Sequence, residues 1–183
     1  PLHNRINIVN NFIVNNAAAD IGGGIALDNA SDVVVVNNSF FNNSATNTAS
    51  DADRTPNAAC LALHGVPGPG LPPLGSCPHA AGLVSTPHDG SFTPPDGSTF
   101  SDPVLFNNIF RNNEAYYWGD LPPEEPDFVP RMGLVLYGNL DFEVVSGAFG
   151  DAPIGCLDPR ESIITVPYGP PVGSGPYCAT SNP

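Results

Sequence analysis

Lysine is absent from this 183-residue chain. Its five basic residues are all arginine, and 18 acidic residues give a formal net charge of −13. Nucleic-acid binding needs Lys and Arg clustered opposite the phosphates, so this balance argues against a nucleic-acid-binding protein. It also argues against docking on an anionic membrane surface. No apolar run approaches the roughly 20 residues of a membrane-spanning helix, so no membrane insertion is expected.

Proline and glycine are abundant instead, with 22 Pro and 19 Gly, although 41% of the residues are hydrophobic. The apolar residues fall in short runs between Pro and Gly, a pattern typical of many short strands and long loops. The length fits one all-β domain over residues 1–183. Two regions lack strand-like runs: a Pro/Gly-rich loop insertion at about 51–101 and an irregular tail at 167–183.

The cysteines are even in number and form no CxxC motif: Cys60, Cys77, Cys156 and Cys178. The first two bracket one Pro/Gly-rich loop, and the last two bracket another. Four cysteines permit three pairings, of which two local disulfides closing these loops is the most economical. Reduced structural cysteines are the alternative, whereas disulfides would place the protein outside the cytoplasm.

Three segments repeat one pattern: residues 6–17, 34–45 and 104–115. Each carries apolar residues at positions 1 and 3, Asn at 5 and 10, Phe at 7 and Ala at 12. In this alignment the first two segments lie 28 residues apart and the third lies 70 further on. A second short strand is expected in each repeat, at 24–27, 59–63 and 133–136.

Such a repeat predicts stacked coils, because each coil is too thin to bury its own apolar face. The expected fold is a right-handed parallel β-helix of about three to four coils with long Pro/Gly-rich loop insertions. Residues 1–183 would be either a single β-helix domain or a fragment of a longer β-helix. A β-sandwich does not explain the same residues recurring at the same positions. Three ladders are expected to run across the coils: Phe12, Phe40 and Phe110 in the interior; Asn15, Asn43 and Asn113 at a turn; and Asn10, Asn38 and Asn108 at a second turn.

These motifs resemble those of parallel β-helix repeat proteins, the broad superfamily that includes pectate lyases and bacterial surface proteins. Gly-Gly-Gly-Ile at 22–25 and Phe-x-x-Asn at 12–15, 40–43 and 110–113 are similar to the GG[A/I] and FxxN repeats of bacterial polymorphic outer-membrane adhesins. The run 102–113 resembles segments of large secreted bacterial β-helix proteins. The resemblance implies a fold rather than an activity, because this solenoid carries enzymes, adhesins and structural fibres alike.

Candidate chemistry lies mostly in the insertion. His64, His79 and His88 have no metal-ligand spacing, so exposed loop histidines compete with a metal site there. Asp51 and Asp53 beside Arg54 are the nearest match to the carboxylate-plus-base sites of polysaccharide lyases. A glycoside hydrolase needs two carboxylates across a cleft, and Asp28, Asp53 and Asp141 are the candidates. No cofactor is expected: the carboxylates are interpreted as hydrated surface groups, and a structural Ca²⁺ in a turn is the alternative.

Tyr116, Tyr117 and Trp118 follow the third repeat. Exposed, they would contact a sugar ring or a partner protein; buried, they would cap the apolar interior. We expect a non-catalytic extracellular or cell-surface module, adhesin-like or part of a scaffold, with other protein chains or further coils at its ends. The alternatives are a carbohydrate-active lyase or hydrolase and an accessory subunit of an extracellular redox complex.

Overall fold

The computed structural model describes residues 5–48, 75–89, 92, 94, 97–121, 131–139, 141–144 and 157–164. Every regular element in these ranges is a β-strand, so the predicted all-β class is confirmed. The strands are β1 (Ile6–Val9), β2 (Phe12–Val14), β3 (Ala17–Ala18), β4 (Ile25–Leu27), β5 (Val33–Val36), β6 (Ser39–Phe41), β7 (Ser44–Ala45), β8 (Leu83–Ser85), β9 (Val104–Phe106), β10 (Ile109–Arg111), β11 (Glu114–Leu121), β12 (Arg131–Asn139), β13 (Phe142–Val144), β14 (Pro159–Arg160) and β15 (Ile163–Ile164).

The strands form four sheets. Sheet A has the order β1-β5-β9-β14, sheet B the order β2-β6-β10-β15, sheet C the order β3-β7-β11-β12 and sheet D the order β4-β8-β13. The chain therefore visits the sheets in the same order each time, and we call one visit to all four a pass. Pass 1 is β1–β4, pass 2 is β5–β8, pass 3 is β9–β13, and β14 and β15 begin a fourth. Strands of neighbouring passes pair in parallel, and only the β11–β12 hairpin is antiparallel among the described strand pairs.

The register corrects the alignment of the first repeat. Phe40 pairs with Phe110, which agrees with the 70-residue spacing, but the pass 1 residue opposite Phe40 is Ile13. Phe12 lies opposite Ser39 and is 81% exposed. Side chains alternate between the two faces of a strand, so an alignment that is off by one residue places the wrong side chain inside. Phe12 is therefore not a member of the interior ladder.

The core lies between the sheets and continues from pass to pass. Phe40 and Phe110 are fully buried, with ring centroids 4.2 Å apart and planes 7° from parallel. The Phe142 ring extends this stack, with its centroid 4.1 Å from that of Phe110. Beside the rings, Val35 pairs with Leu105 inside sheet A, and both are buried. The interior is thus a continuous apolar column rather than a separate core for each pass.

The sheet D strands of passes 2 and 3 differ from the prediction. Residues 59–63 lie outside the described residues, and the strand that pairs with β4 is β8, within the range predicted as loop. Gly24 and Gly82 explain this pairing, since a Cβ on Gly24 would lie 2.5 Å from the Gly82 carbonyl oxygen. In pass 3, residues 133–136 belong to the hairpin strand β12, and β13 pairs with β8 instead. The tail at 167–183 lies outside the described residues.

Candidate protein interface at the outermost strands

Asparagine pairs form the two corners at which the chain leaves sheet A for sheet B and sheet B for sheet C. In every pair the first residue has a positive φ, between 51° and 59°. The pairs are Asn10-Asn11, Asn15-Asn16, Asn37-Asn38, Asn42-Asn43, Asn107-Asn108 and Asn112-Asn113. Asn adopts this left-handed region more readily than most residues because its short amide can hydrogen-bond locally. The first Asn of each pair therefore ends one strand and redirects the chain into the next sheet.

The second residues of the A-to-B corners form a hydrogen-bond ladder across the passes. The Asn11 backbone N–H donates to Asn38 Oδ1 at 2.9 Å, and the Asn38 N–H donates to Asn108 Oδ1 at 2.9 Å. Asn38 Nδ2 donates back to the Ile8 carbonyl oxygen at 2.8 Å. The Asn108 N–H donates to Ser162 Oγ at 3.1 Å, which closes this ladder at the fourth pass. Asn38 and Asn108 are buried, so neighbouring passes supply the partners that water cannot.

The B-to-C corners form a second ladder of the same kind. The Asn16 N–H donates to Asn43 Oδ1 at 3.2 Å, and the Asn43 N–H donates to Asn113 Oδ1 at 3.3 Å. Asn43 Nδ2 donates to Asn113 Oδ1 at 2.9 Å and to the Ile13 carbonyl oxygen at 2.9 Å. Asn113 Nδ2 donates to Asp141 Oδ1 at 2.7 Å, so a buried carboxylate of pass 3 accepts from the last described Asn of this ladder.

These ladders correct two predicted positions. Asn10 and Asn15 are the left-handed first residues of their pairs, and the ladder members in pass 1 are Asn11 and Asn16. The cause is the same one-residue error that placed Phe12 in the core.

The strands at the pass 1 end of the four sheets have no partner strand beyond them among the described residues. The pass 1 strands β1–β4 are outermost in all four sheets, and no described strand pairs with their far side. Ile8 and Ile13 point inward but are only half-buried, whereas their neighbours in pass 2, Val35 and Phe40, are fully buried. Exposed backbone at a sheet edge is a template for a further strand. We call the far side of β1–β4 the open edge.

The three aromatic residues after the third repeat have separate environments on β11. Tyr117 is fully buried against Cys77 and Val135, so it is not an exposed contact residue, and burial raises its pKa. Tyr116 and Trp118 are half-buried on the other face of the strand. Tyr116 Oη donates to Glu114 Oε2 at 2.6 Å. This hydrogen bond, followed by burial and the negative charge of Glu114, raises the tyrosine pKa. The backbone N–H of Trp118 donates to Ser76 Oγ at 2.8 Å, which connects the β11–β12 hairpin to the segment before β8.

Cys77 is buried, and no free cysteine occurs among the described residues. Cys60, Cys156 and Cys178 lie outside those residues, so the predicted pairings stay predictions.

The candidate histidines and carboxylates do not converge in the part of the chain that the structure describes. His79 is buried, while the His88 ring lies 4.5 Å from that of Phe92. Asp28 accepts from Thr86 Oγ1 at 3.1 Å, and Asp141 lies inside the second ladder. Within the described ranges no three His, Cys, Asp or Glu side chains come close enough to hold a metal ion. The remaining candidates lie outside those ranges: His64, Asp51, Asp53 and Arg54.

Comparison with known proteins gives no relative to set beside this geometry. No protein-family model matches the chain, and neither the curated proteins nor the solved structures include a similar one. Among the described residues, no helix has the length and apolarity that crossing a membrane requires. The resemblance to the pectate-lyase-like superfamily therefore stays a prediction.

Proposed function

We propose that the chain is a non-catalytic extracellular structural or binding module that docks other protein chains or further coils at its open edge. This proposal rests on the outermost position and the exposure of the pass 1 strands. Its strands lie outermost in every sheet, its inward residues Ile8 and Ile13 are incompletely covered, and Phe12 on its outer face is 81% exposed. Edges of this kind are normally covered, blocked or paired.

The proposed architecture is a right-handed parallel β-helix in which each pass is one coil. The fixed order of the four sheets and the parallel pairing of successive passes support this assignment. The right hand follows the general rule for crossovers between parallel strands. Buried Asn ladders at two corners and a stacked aromatic column suit a scaffold, because they fix the position of each coil on the next.

The extracellular assignment rests on charge and cysteine placement. A net charge of −13 suits a highly soluble secreted protein. We propose disulfides between Cys60 and Cys77 and between Cys156 and Cys178, each closing a Pro/Gly-rich loop. The buried position of Cys77 and the absence of a free thiol there are compatible with the first pairing.

Sedimentation velocity over a protein concentration series tests the docking role. The Ile6 and Asn10 N–H groups donate toward pass 2, so by strand alternation the Asn7 N–H points to the open edge. Asn7→Pro removes that outward donor, while Ile8→Pro breaks the pairing with β5 and serves as the folding control. We expect reversible association of the wild-type chain and weaker association of Asn7→Pro, with its melting temperature unchanged.

A chain that stays monomeric at every concentration and also binds no peptide with the coil sequence 104–115 would contradict the docking role. A reducing-end assay on a panel of acidic and neutral polysaccharides provides the complementary test. Chain cleavage there would favour the carbohydrate-active alternative, and peptide mapping without reductant would test the two disulfides.

A further inference from the structure

The two Asn ladders have a direction. In both, each Asn Oδ1 faces the preceding pass and accepts that pass's backbone N–H: Asn38 Oδ1 from Asn11, and Asn43 Oδ1 from Asn16. Asn38 and Asn43 also donate Nδ2–H bonds back to carbonyls of the preceding pass. The side facing the preceding pass therefore presents the Oδ1 acceptors together with Nδ2–H donors, and the side facing the following pass presents the backbone N–H donors of the ladder.

The two ends of the ladders are consequently different. At the far end, in passes 3 and 4, the last described Asn of each ladder has an acceptor. Ser162 Oγ accepts from the Asn108 N–H, and Asp141 Oδ1, which belongs to pass 3 itself, accepts from Asn113 Nδ2. At the open edge the amides of Asn11 and Asn16 still donate to pass 2. The Nδ2 bonds of Asn11 match those of Asn38, to the carbonyl two residues before and to the next ladder Asn, and Asn16 Nδ2 likewise donates to Asn43 Oδ1. We infer from this match that the Oδ1 atoms of Asn11 and Asn16 face the side of a preceding pass, where no hydrogen bond to them is found among the described residues. Both residues are exposed.

We propose that the open edge docks one further β-coil, stacked in parallel, whose two Asn-Asn corners place backbone N–H groups on Asn11 Oδ1 and Asn16 Oδ1. This inference rests on the proposed docking role and names the partner's chemistry. The partner needs two outward N–H donors at the spacing that this chain uses in each pass, together with apolar side chains to cover Ile8 and Ile13. A strand pattern equivalent to residues 104–115 meets both requirements.

Ladder direction also selects against the simplest alternative, a twofold dimer that joins two open edges. Such a contact is isologous, so both copies contribute the same edge, and neither supplies the backbone N–H groups of an Asn-Asn corner that would pair with Asn11 Oδ1 and Asn16 Oδ1. Buried acceptors without donors weaken a contact strongly. The partner must instead present the donor side of its own ladder.

A synthetic peptide with the sequence of residues 104–115 is the probe, titrated against the whole chain by fluorescence anisotropy. Its Asn108 and Asn113 N–H groups are the proposed donors. The test peptide carries N-methyl groups on these two residues. The matched control carries them on Ile109 and Glu114, whose N–H groups point toward the opposite side of the coil, as their bonds to the Asn38 and Asn43 carbonyls show.

We expect the unmodified and control peptides to bind alike, and the test peptide to bind more weakly by about tenfold for each lost hydrogen bond. Hydrogen exchange measured by mass spectrometry should show protection of residues 6–18 by the two binding peptides. Equal binding by all three peptides would overturn the directional docking and leave the proposed docking role intact. Absence of peptide binding would also overturn it. If no peptide binds and the wild-type chain is also monomeric in sedimentation, both the directional docking and the proposed function fail.

Discussion

Truncating Phe40 and Phe12 in turn tests the register of pass 1 on pass 2. The two substitutions, Phe40→Ala and Phe12→Ala, remove the same side chain from neighbouring sheet B strands, so differences in intrinsic strand preference largely cancel. If the 28-residue alignment were right, the two residues would be equivalent members of one aromatic ladder. In the structure Phe40 is fully buried and stacked on Phe110, whereas Phe12 is 81% exposed.

The structure predicts very different losses of unfolding free energy for Phe40→Ala and Phe12→Ala. Loss of a fully buried Phe leaves a cavity and costs about 3–5 kcal/mol of unfolding free energy. For a chain of this size each kcal/mol shifts the melting temperature by about 2–4 °C, so Phe40→Ala should melt roughly 6–20 °C lower. Phe12→Ala should change the unfolding free energy by less than about 0.5 kcal/mol. Ile13→Ala should fall between them because Ile13 occupies the inward position but is only half-buried.

Urea unfolding followed by far-ultraviolet circular dichroism, with disulfides kept intact, measures all three free energies. A loss at Phe12 as large as that at Phe40 would refute the register and restore the 28-residue alignment. A small loss at Phe40 would show that the interior column is not tightly packed.

Two further predictions concern the corners and the hairpin. At the Asn42-Asn43 corner, Asn42→Gly should cost less than about 0.5 kcal/mol in urea unfolding, since Gly adopts its φ of 52° freely. Asn43→Ala should cost about 3 kcal/mol, because it leaves buried ladder groups unpaired, and equal losses at the two positions would contradict the division of roles. The Tyr116 pKa is raised above its usual value of 10.0, first by the hydrogen bond to Glu114, so Glu114→Ala, which removes both the acceptor and the charge, should lower it in an ultraviolet absorbance titration. The raised pKa contributes stability that is fully present below pH 10 and is lost as the pH rises through the folded-state value; an unchanged titration in Glu114→Ala would show that Glu114 does not raise the Tyr116 pKa.

The general architecture followed from the sequence because its main signals are local. Short apolar runs, Asn corners and a repeated Phe each indicate stacked strands, and the all-β class with largely parallel sheets agrees with them. The correct register of the first repeat on the second could also be found from a local sequence pattern. Asn-Asn occurs at 10–11, 37–38 and 107–108, and aligning these dipeptides gives a 27-residue spacing between the first two repeats. Aligning on Phe12 failed because the first repeat carries Phe on the outer face and Ile13 on the inner one.

The features that the sequence did not reveal depend on contacts between distant segments. β8 is three residues long, and it forms where Gly82 lets the chain approach Gly24 closely, which no local pattern indicates. The burial of Tyr117 depends on Cys77 and on a hairpin partner beyond a Pro-rich segment. The sequence did not reveal the direction of the ladders either, because that direction depends on whether Oδ1 or the backbone N–H of each Asn faces the preceding pass.

The distribution of variable segments follows from the same ladders. Corners A-to-B and B-to-C are Asn dipeptides in all three passes, because a longer corner would separate the ladder Asn from its partners above and below. Corners C-to-D and D-to-A have no such constraint, and two long segments lie there: residues 46–82 precede β8, and residues 86–103 lead to β9. Loop closure costs little more for a long loop than for a short one, so these corners can accept insertions without disturbing the register. Partner-specific contacts other than the open edge are therefore to be sought along the two corners that flank sheet D.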